Sequence, residues 1–224
     1  MKIITIPHQT LRQIATEVKQ VDEQLIKLVE ELNKTLADAR NPRGVGLAAP
    51  QVDKLLRVFA TNLPFVNVTN FVNVTNFVNV TKEVDHPGDR SDSGGRPVPG
   101  DHPNGELRYF INPYISKACK RKKVLGVNPK DPDLEGCLSL PRLFGPVPRH
   151  RWVELEYQTV ENERLVTHKE RFDNFHARVI QHELDHLDGI LFTDYALEND
   201  LPVYRQSEIG EKLIEIDQKL IGAI

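Results

Sequence analysis

The chain has 224 residues, 39% of them apolar, and a formal net charge of −3. This is enough for one ordinary domain, but the apolar fraction is below that of a tightly packed one, so part of the chain is expected outside the core. The mild acidity argues against nucleic-acid or anionic-membrane partners, and no run of about eighteen apolar residues offers a membrane span. The start, Met1-Lys2-Ile3-Ile4-Thr5-Ile6-Pro7, has neither the apolar core of a secretion signal nor the Arg/Ser bias of a transit peptide, so a cytoplasmic location is expected. Cys119 and Cys137 are read as free thiols, because a chain of this size does not need a disulfide.

Leu11, Ile14, Ala15 and Val18 form a short apolar pattern near the N-terminus. Asp22 has the character of a helix N-cap. After it, Leu25, Ile26, Leu28, Val29, Leu32 and Leu36 recur at helical spacing, which predicts a helix to about Arg40. Pro42 and Gly44 end it. Gly44 to Gln51 is a tight stretch of small residues, and Leu55–Ala60 reads as a strand. Phe65-Val66-Asn67-Val68-Thr69-Asn70 then repeats as 71–76, and again from 77 with Lys82 in place of the last Asn. Such repeats are too short for a solenoid and are aggregation-prone if exposed. Residues 83–106 are rich in Pro, Gly, Asp and Ser. The stretch 63–107 is therefore read as an inserted hairpin or loop, not a domain.

Leu107–Ile111, Lys120–Val124 and Val153–Tyr157 read as further strands, and Glu161-Asn162-Glu163 as a hairpin turn. Residues 173–188 are predicted to form a second helix. Ile209, Leu213, Ile214, Ile216 and Leu220 suggest a third, amphipathic helix at about 207–220. Helices separated by many short strands predict an α+β fold, in one domain over 1–224.

His182 and His186 lie one turn apart on the second predicted helix, so both imidazoles face one side, where a divalent metal can bridge them. Glu183 lies beside them and can serve as a general base without being a ligand. This pattern is only moderately specific, since two histidines at this spacing also occur as ordinary surface residues. A catalytic centre of this kind wants a third protein ligand. A zincin would take a downstream Glu, of which Glu198 is a candidate beyond the expected helix end at Asp188-Gly189. A metzincin would take a downstream His, and none follows His186. Gly44 and Gly46 lack the Lys-Ser/Thr of a phosphate loop. Cys119 among Lys117, Lys120 and Arg121 is read as incidental. His86 and His102 are read as loop residues, and Asn67, Asn73 and Asn79 as sequons without consequence in the cytoplasm.

Three motifs taken in order are more specific. Gly44-Val45-Gly46-Leu47-Ala48-Ala49-Pro50-Gln51, Glu135-Gly136-Cys137-Leu138-Ser139-Leu140-Pro141 and Gln181-His182-Glu183-Leu184-Asp185-His186-Leu187-Asp188-Gly189 resemble the signatures of the peptide deformylase family. Ile6-Pro7, Leu11-Arg12 and the helix after them are similar too, so the resemblance spans nearly the whole chain apart from 63–107. It implies antiparallel or mixed sheets around a central metal-binding helix, with N- and C-terminal helices. It further implies removal of the formyl group from the formylmethionine of newly made polypeptides. Cys137, His182 and His186 would hold the metal, with Fe2+ as the native ion and Zn2+, Ni2+ or Co2+ as replacements. Cys/His/His ligation by itself would point to zinc. Glu183 would take the proton of the attacking water and pass it to the leaving amine. Gln51 and the Leu138 N–H would donate to the oxyanion. Backbone groups of Val45, Gly46 and Gly136 would hold the peptide extended, and Val45 with Val179 would line the methionine pocket.

Two departures stand out. Phe144 replaces a polar or basic residue common at this point, making the cleft rim more apolar. Transient ribosome contact is implied for the substrate's sake, yet 198–224 is acidic where some relatives carry a basic docking helix. Two other readings make distinct predictions: a zinc endopeptidase would be indifferent to Cys137→Ala, and a degenerate binding module would lack a motif residue.

Overall fold

The computed structural model describes residues 1–39, 44–64, 105–125, 134–208, 212–217 and 219. In chain order the strands are β1 (Gly46–Ala48), β2 (Val58–Pro64), β3 (Gly105–Ala118), β4 (Lys122–Leu125), β5 (Glu135–Cys137), β6 (Leu140–Gly145), β7 (Val147–His150), β8 (Trp152–Glu161), β9 (Arg164–Asp173), β10 (Val203–Gln206) and β11 (Leu213–Ile216). The helices are α1 (Glu23–Asp38), α2 (Asn174–Leu187) and α3 (Phe192–Glu198). The fold is α+β, as expected.

Asp22 caps α1 by accepting the Leu25 N–H at 2.8 Å. The helix buries Leu25, Leu28, Val29, Leu32 and Leu36, one stripe at helical spacing. Ile26 lies off that stripe and is exposed.

The largest sheet runs β1-β2-β3-β8-β9, with every neighbour antiparallel. Strand alternation sorts its side chains onto two faces. Phe59, Phe110, Val153, Leu155, Tyr157 and Phe172 meet Ala177, Ile180, Leu184 and Leu187 of α2. Val58, Ala60 and Ile111 meet the apolar stripe of α1. The sheet is thus covered by a helix on each face. Phe59 and Phe110 stack with centroids 4.7 Å apart, and each such buried ring contributes about 1.5–3 kcal/mol by burial alone. Because α2 gives the sheet its Ala177/Ile180/Leu184/Leu187 face, His182, Glu183 and His186 turn another way.

The β8–β9 hairpin turns at Asn162 and Glu163, both left-handed, with φ of 48° and 61°. Positive φ at both central residues is the turn geometry that suits a tight hairpin. The expected turn is therefore present. A second sheet, β11-β10-β6-β5, packs with α3 through Leu140, Leu143, Leu191, Phe192 and Val203.

The tail differs from expectation. Where a helix was predicted at about 207–220, Leu213–Ile216 forms β11 and pairs antiparallel with β10, Val203 opposite Ile216. Ile214 and Ile216 fit a period of two as readily as Leu213 and Ile216 fit one of 3.6, and the open edge of β10 pairs with the segment along Leu213–Ile216. The repeats expected to form an insert at 63–107 lie, from 65 to 104, outside the described residues. On either side of them β2 and β3 pair down to Pro64 and Gly105.

Candidate metal centre

β5 carries Glu135 and Cys137 two residues apart, which places both side chains on the same face of the strand. That face looks onto α2. The Cys137 Sγ lies 3.1 Å from His186 Nε2. The ligand atoms of Cys137, His182 and His186 all lie within 4.8 Å of one another, and both histidines are buried. The two imidazole rings stand nearly perpendicular, centroids 4.9 Å apart.

One ring nitrogen of His182 is already committed: its Nδ1 lies 3.0 Å from Glu135 Oε2. This fixes the ring and leaves Nε2 as the available donor. Glu135 is fully buried and held by two arginines. Arg149 bonds it in a fork, Nε to Oε1 and Nη2 to Oε2, each at 2.8 Å, and Arg178 Nε reaches Oε1 at 3.1 Å. Burial opposes the charge on Glu135, but Arg149, then His182 and Arg178, outweigh it and hold its carboxyl well below the usual range. Burial also opposes charge on His182, and the neighbouring Cys137 and Glu135 override it, raising that imidazole well above its ordinary value. His186 goes the other way: burial, then the charges of His182 and Arg149, depress it strongly.

The donor set fits a metal. One thiol and two imidazoles converge, which makes a three-ligand centre with a position left for water or substrate. Beside them, Glu183 Oε2 and His186 Nδ1 are buried with no hydrogen-bond partner among the described residues. Burial raises the Glu183 carboxyl to about 7. Its carboxylate rests on β1, where a Cβ built on Gly46 would lie 2.1 Å from Oε1.

Gln51 sits in the 3-10 turn after β1, and its side chain reaches the centre. Its Oε1 accepts the Ala48 N–H at 2.8 Å, and its Nε2 points at Cys137 Sγ (3.4 Å) and Ser139 Oγ (3.2 Å). The Ser139 N–H also faces the sulfur, at 3.4 Å.

The remaining expected residues are placed as follows. Leu138 occupies the β5–β6 turn, half-buried, with its side chain against the α1 core. Gly136 lies beneath the Phe144 ring, where a Cβ would come within 2.6 Å of that ring. Val45 is half-buried next to Gly46, and its carbonyl accepts the Asn62 N–H at 3.0 Å. Val179 is fully buried on α2, one turn before His182.

Sequence reasoning gave no role to Glu135, Arg149, Arg178, Asp185 or Tyr195. Two weak signals existed. Glu135 stands two residues before Cys137 in a strand, and Arg178 stands four before His182 in a helix. Each spacing places a charge on the face of a proposed ligand.

The chain matches the polypeptide deformylase family over residues 1–201. It is 30% identical over 215 residues to a peptide deformylase of Pseudothermotoga lettingae, covering 96% of this chain and 91% of that protein. With the peptide deformylase of Desulfotalea psychrophila it shares 31% over 196 residues, 87% of this chain and 86% of that one. Among solved structures, the peptide deformylase of Thermotoga maritima superposes with a TM-score of 0.58 at 28% identity, covering 87% of this chain and 95% of that chain. A Met-Ala-Ser-bound class I type b peptide deformylase of Acinetobacter baumannii gives 0.60 at 25% identity, covering 87% and 97%.

Proposed function

The chain belongs to the polypeptide deformylase family, and on that premise we propose how its own residues remove the N-formyl group from newly made polypeptides and release formate. Cys137, His182 and His186 hold one divalent metal. Fe2+ is the native ion on the family resemblance, with Zn2+, Ni2+ or Co2+ as replacements. When bound, the metal supplies Lewis-acid activation at the formyl group and to the attacking water, moderated by the charge a thiolate donates.

Glu183 is the general base and acid. Its carboxyl, raised by burial to about 7, is poised to accept a proton near neutral pH and return it. It takes the proton of the water that attacks the formyl carbon, then delivers it to the amine that leaves. Gln51 Nε2 and the Leu138 N–H donate to the oxygen that gains charge, each such donor being worth about 10²–10³ in rate. Backbone groups of Val45, Gly46 and Gly136 hold the peptide extended, and Val45 and Val179 line the methionine pocket. A substrate of newly made chains supports reading the reaction as cytoplasmic, with transient contact at the ribosome.

The observation that carries this reading is the convergence of three donors within 4.8 Å beside a buried carboxylate with one oxygen that has no partner among the described residues. Formate release from formyl-Met-Ala-Ser by the metal-loaded protein tests it. Glu183→Ala should lower the rate by about 10²–10⁴ while the metal stays bound. An undiminished rate in that variant removes Glu183 from the mechanism.

A further inference from the structure

The buried charges behind the metal centre continue past Glu135 to a residue on another helix. Arg149 uses Nε and Nη2 on Glu135 and turns its third nitrogen, Nη1, to Asp185 Oδ2 at 2.6 Å. The other oxygen of that carboxylate, Oδ1, accepts the Tyr195 hydroxyl at 3.0 Å. The Tyr195 ring lies over the same guanidinium, its centroid 5.1 Å from Arg149 Cζ. Tyr195 on α3 therefore restrains both members of one ion pair: the hydroxyl aims the carboxylate and the ring seats the arginine. The far end of this path is His182 Nδ1, on Glu135 Oε2 at 3.0 Å. Arg149 side-chain exposure is 3% and Glu135 is wholly covered, so the half of the path nearest the metal centre is shielded from solvent, while Asp185 and Tyr195 are partly exposed.

We propose that Tyr195 is a positioning residue for the metal ligand His182, acting through Asp185, Arg149 and Glu135. This rests on the metal-centre reading above. The fork of Arg149 is the element that makes transmission possible. Guanidinium is planar and rigid, so the orientation imposed at Nη1 is also the orientation presented at Nε and Nη2. Freeing Asp185 Oδ1 lets that carboxylate turn, the guanidinium tilt and Glu135 follow, and the His182 ring loses its fixed aim. A ligand ring that must be ordered on binding holds a metal less tightly. The path ends on an imidazole and not on a reacting atom, so Tyr195 touches no substrate.

The test is Zn2+ affinity, by competition with a chromophoric chelator, in the full chain. Tyr195→Phe keeps the ring over Arg149 and removes only the hydroxyl. Losses from disturbing groups behind a metal ligand reach about 10–100-fold, and at this remove a smaller one of about 3–10-fold is expected. The melting temperature of the metal-free variant should stay at the wild-type value. Asp185→Ala supplies the second arm. The cycle is closed in this background, where no side-chain oxygen is left for the Tyr195 hydroxyl: if Tyr195 acts through Asp185, the loss caused by Tyr195→Phe should vanish there. Unchanged Zn2+ affinity in Tyr195→Phe, or losses that simply multiply in the double variant, would overturn the proposal. Failure of wild-type protein to bind Zn2+ at all would instead overturn the metal-centre reading, and the relay with it.

Discussion

The carboxylate of Glu183 lies directly on the backbone of Gly46, so close that a Cβ there would stand 2.1 Å from its Oε1. The absence of a side chain at Gly46 thus sets the position of the proposed base. Gly46→Ala should push the carboxylate out of line and lower kcat for formate release by about 10² or more, within the range for a mispositioned acid–base group. Metal content should remain at the wild-type level, since no ligand is touched. Loss of metal together with activity would show that Gly46 supports the ligands and not the base.

Glu135 lies buried between two arginines and a histidine. Removing its charge takes a two-bond fork from Arg149 and an ion pair from Arg178, both buried side chains. Glu135→Leu should therefore cost about 3–5 kcal/mol in urea unfolding, the usual result of breaking one side of a buried ion pair. A cost near zero would mean that the desolvation of these charges is relieved in some other way.

Glu170 offers a pH test away from the metal. Burial opposes its charge, but the hydrogen bond and charge of Arg108 prevail and lower its carboxyl below the ordinary value. A carboxylate with a depressed folded-state pKa stabilises the fold above its unfolded pKa of about 4.3, and that contribution is lost as pH falls through the folded value. Wild type should exceed Glu170→Gln in stability by a constant margin at neutral pH, and the margin should close under acid. Urea midpoints measured from neutral to acid pH check this, and a margin independent of pH contradicts it. The pair is half exposed, so the effect should be small.

Gly189 ends the metal helix with φ of +71°, and a Cβ there would lie 2.8 Å from the Arg12 carbonyl carbon. Gly189→Ala meets both backbone strain and a clash with main chain. It should destabilise by more than about 1 kcal/mol, seen as a lower melting temperature. An unchanged melting temperature would show that the Arg12 segment yields freely.

Much of this architecture was legible in the sequence because its signals are local. Asp22 followed by the Leu25–Leu36 stripe specifies α1, and Asn162-Glu163 specifies a two-residue hairpin turn. His182 and His186 stood out as candidate ligands from helical spacing, a signal of moderate specificity. Cys137 joined them only through the resemblance of its motif. The charges behind the centre were not legible, because Glu135, Arg149, Asp185 and Tyr195 come from different elements and meet only through tertiary packing. The tail was misread because a short apolar run satisfies both periodicities, and only the β10 edge decides between them. Cys137 also shows how one ligand changes the chemistry inferred: with it, the helix motif no longer describes an ordinary metalloprotease, whose third ligand lies downstream.

Titration of metal-free protein with Fe2+ under anaerobic conditions, following formate release from formyl-Met-Ala-Ser, bears most directly on the central claim. Activity should rise linearly and level off at one Fe2+ per chain, and Cys137→Ser should fail to reach that plateau. Formate release that is independent of added metal, or a Cys137→Ser titration identical to wild type, would contradict a catalytic centre built on Cys137, His182 and His186.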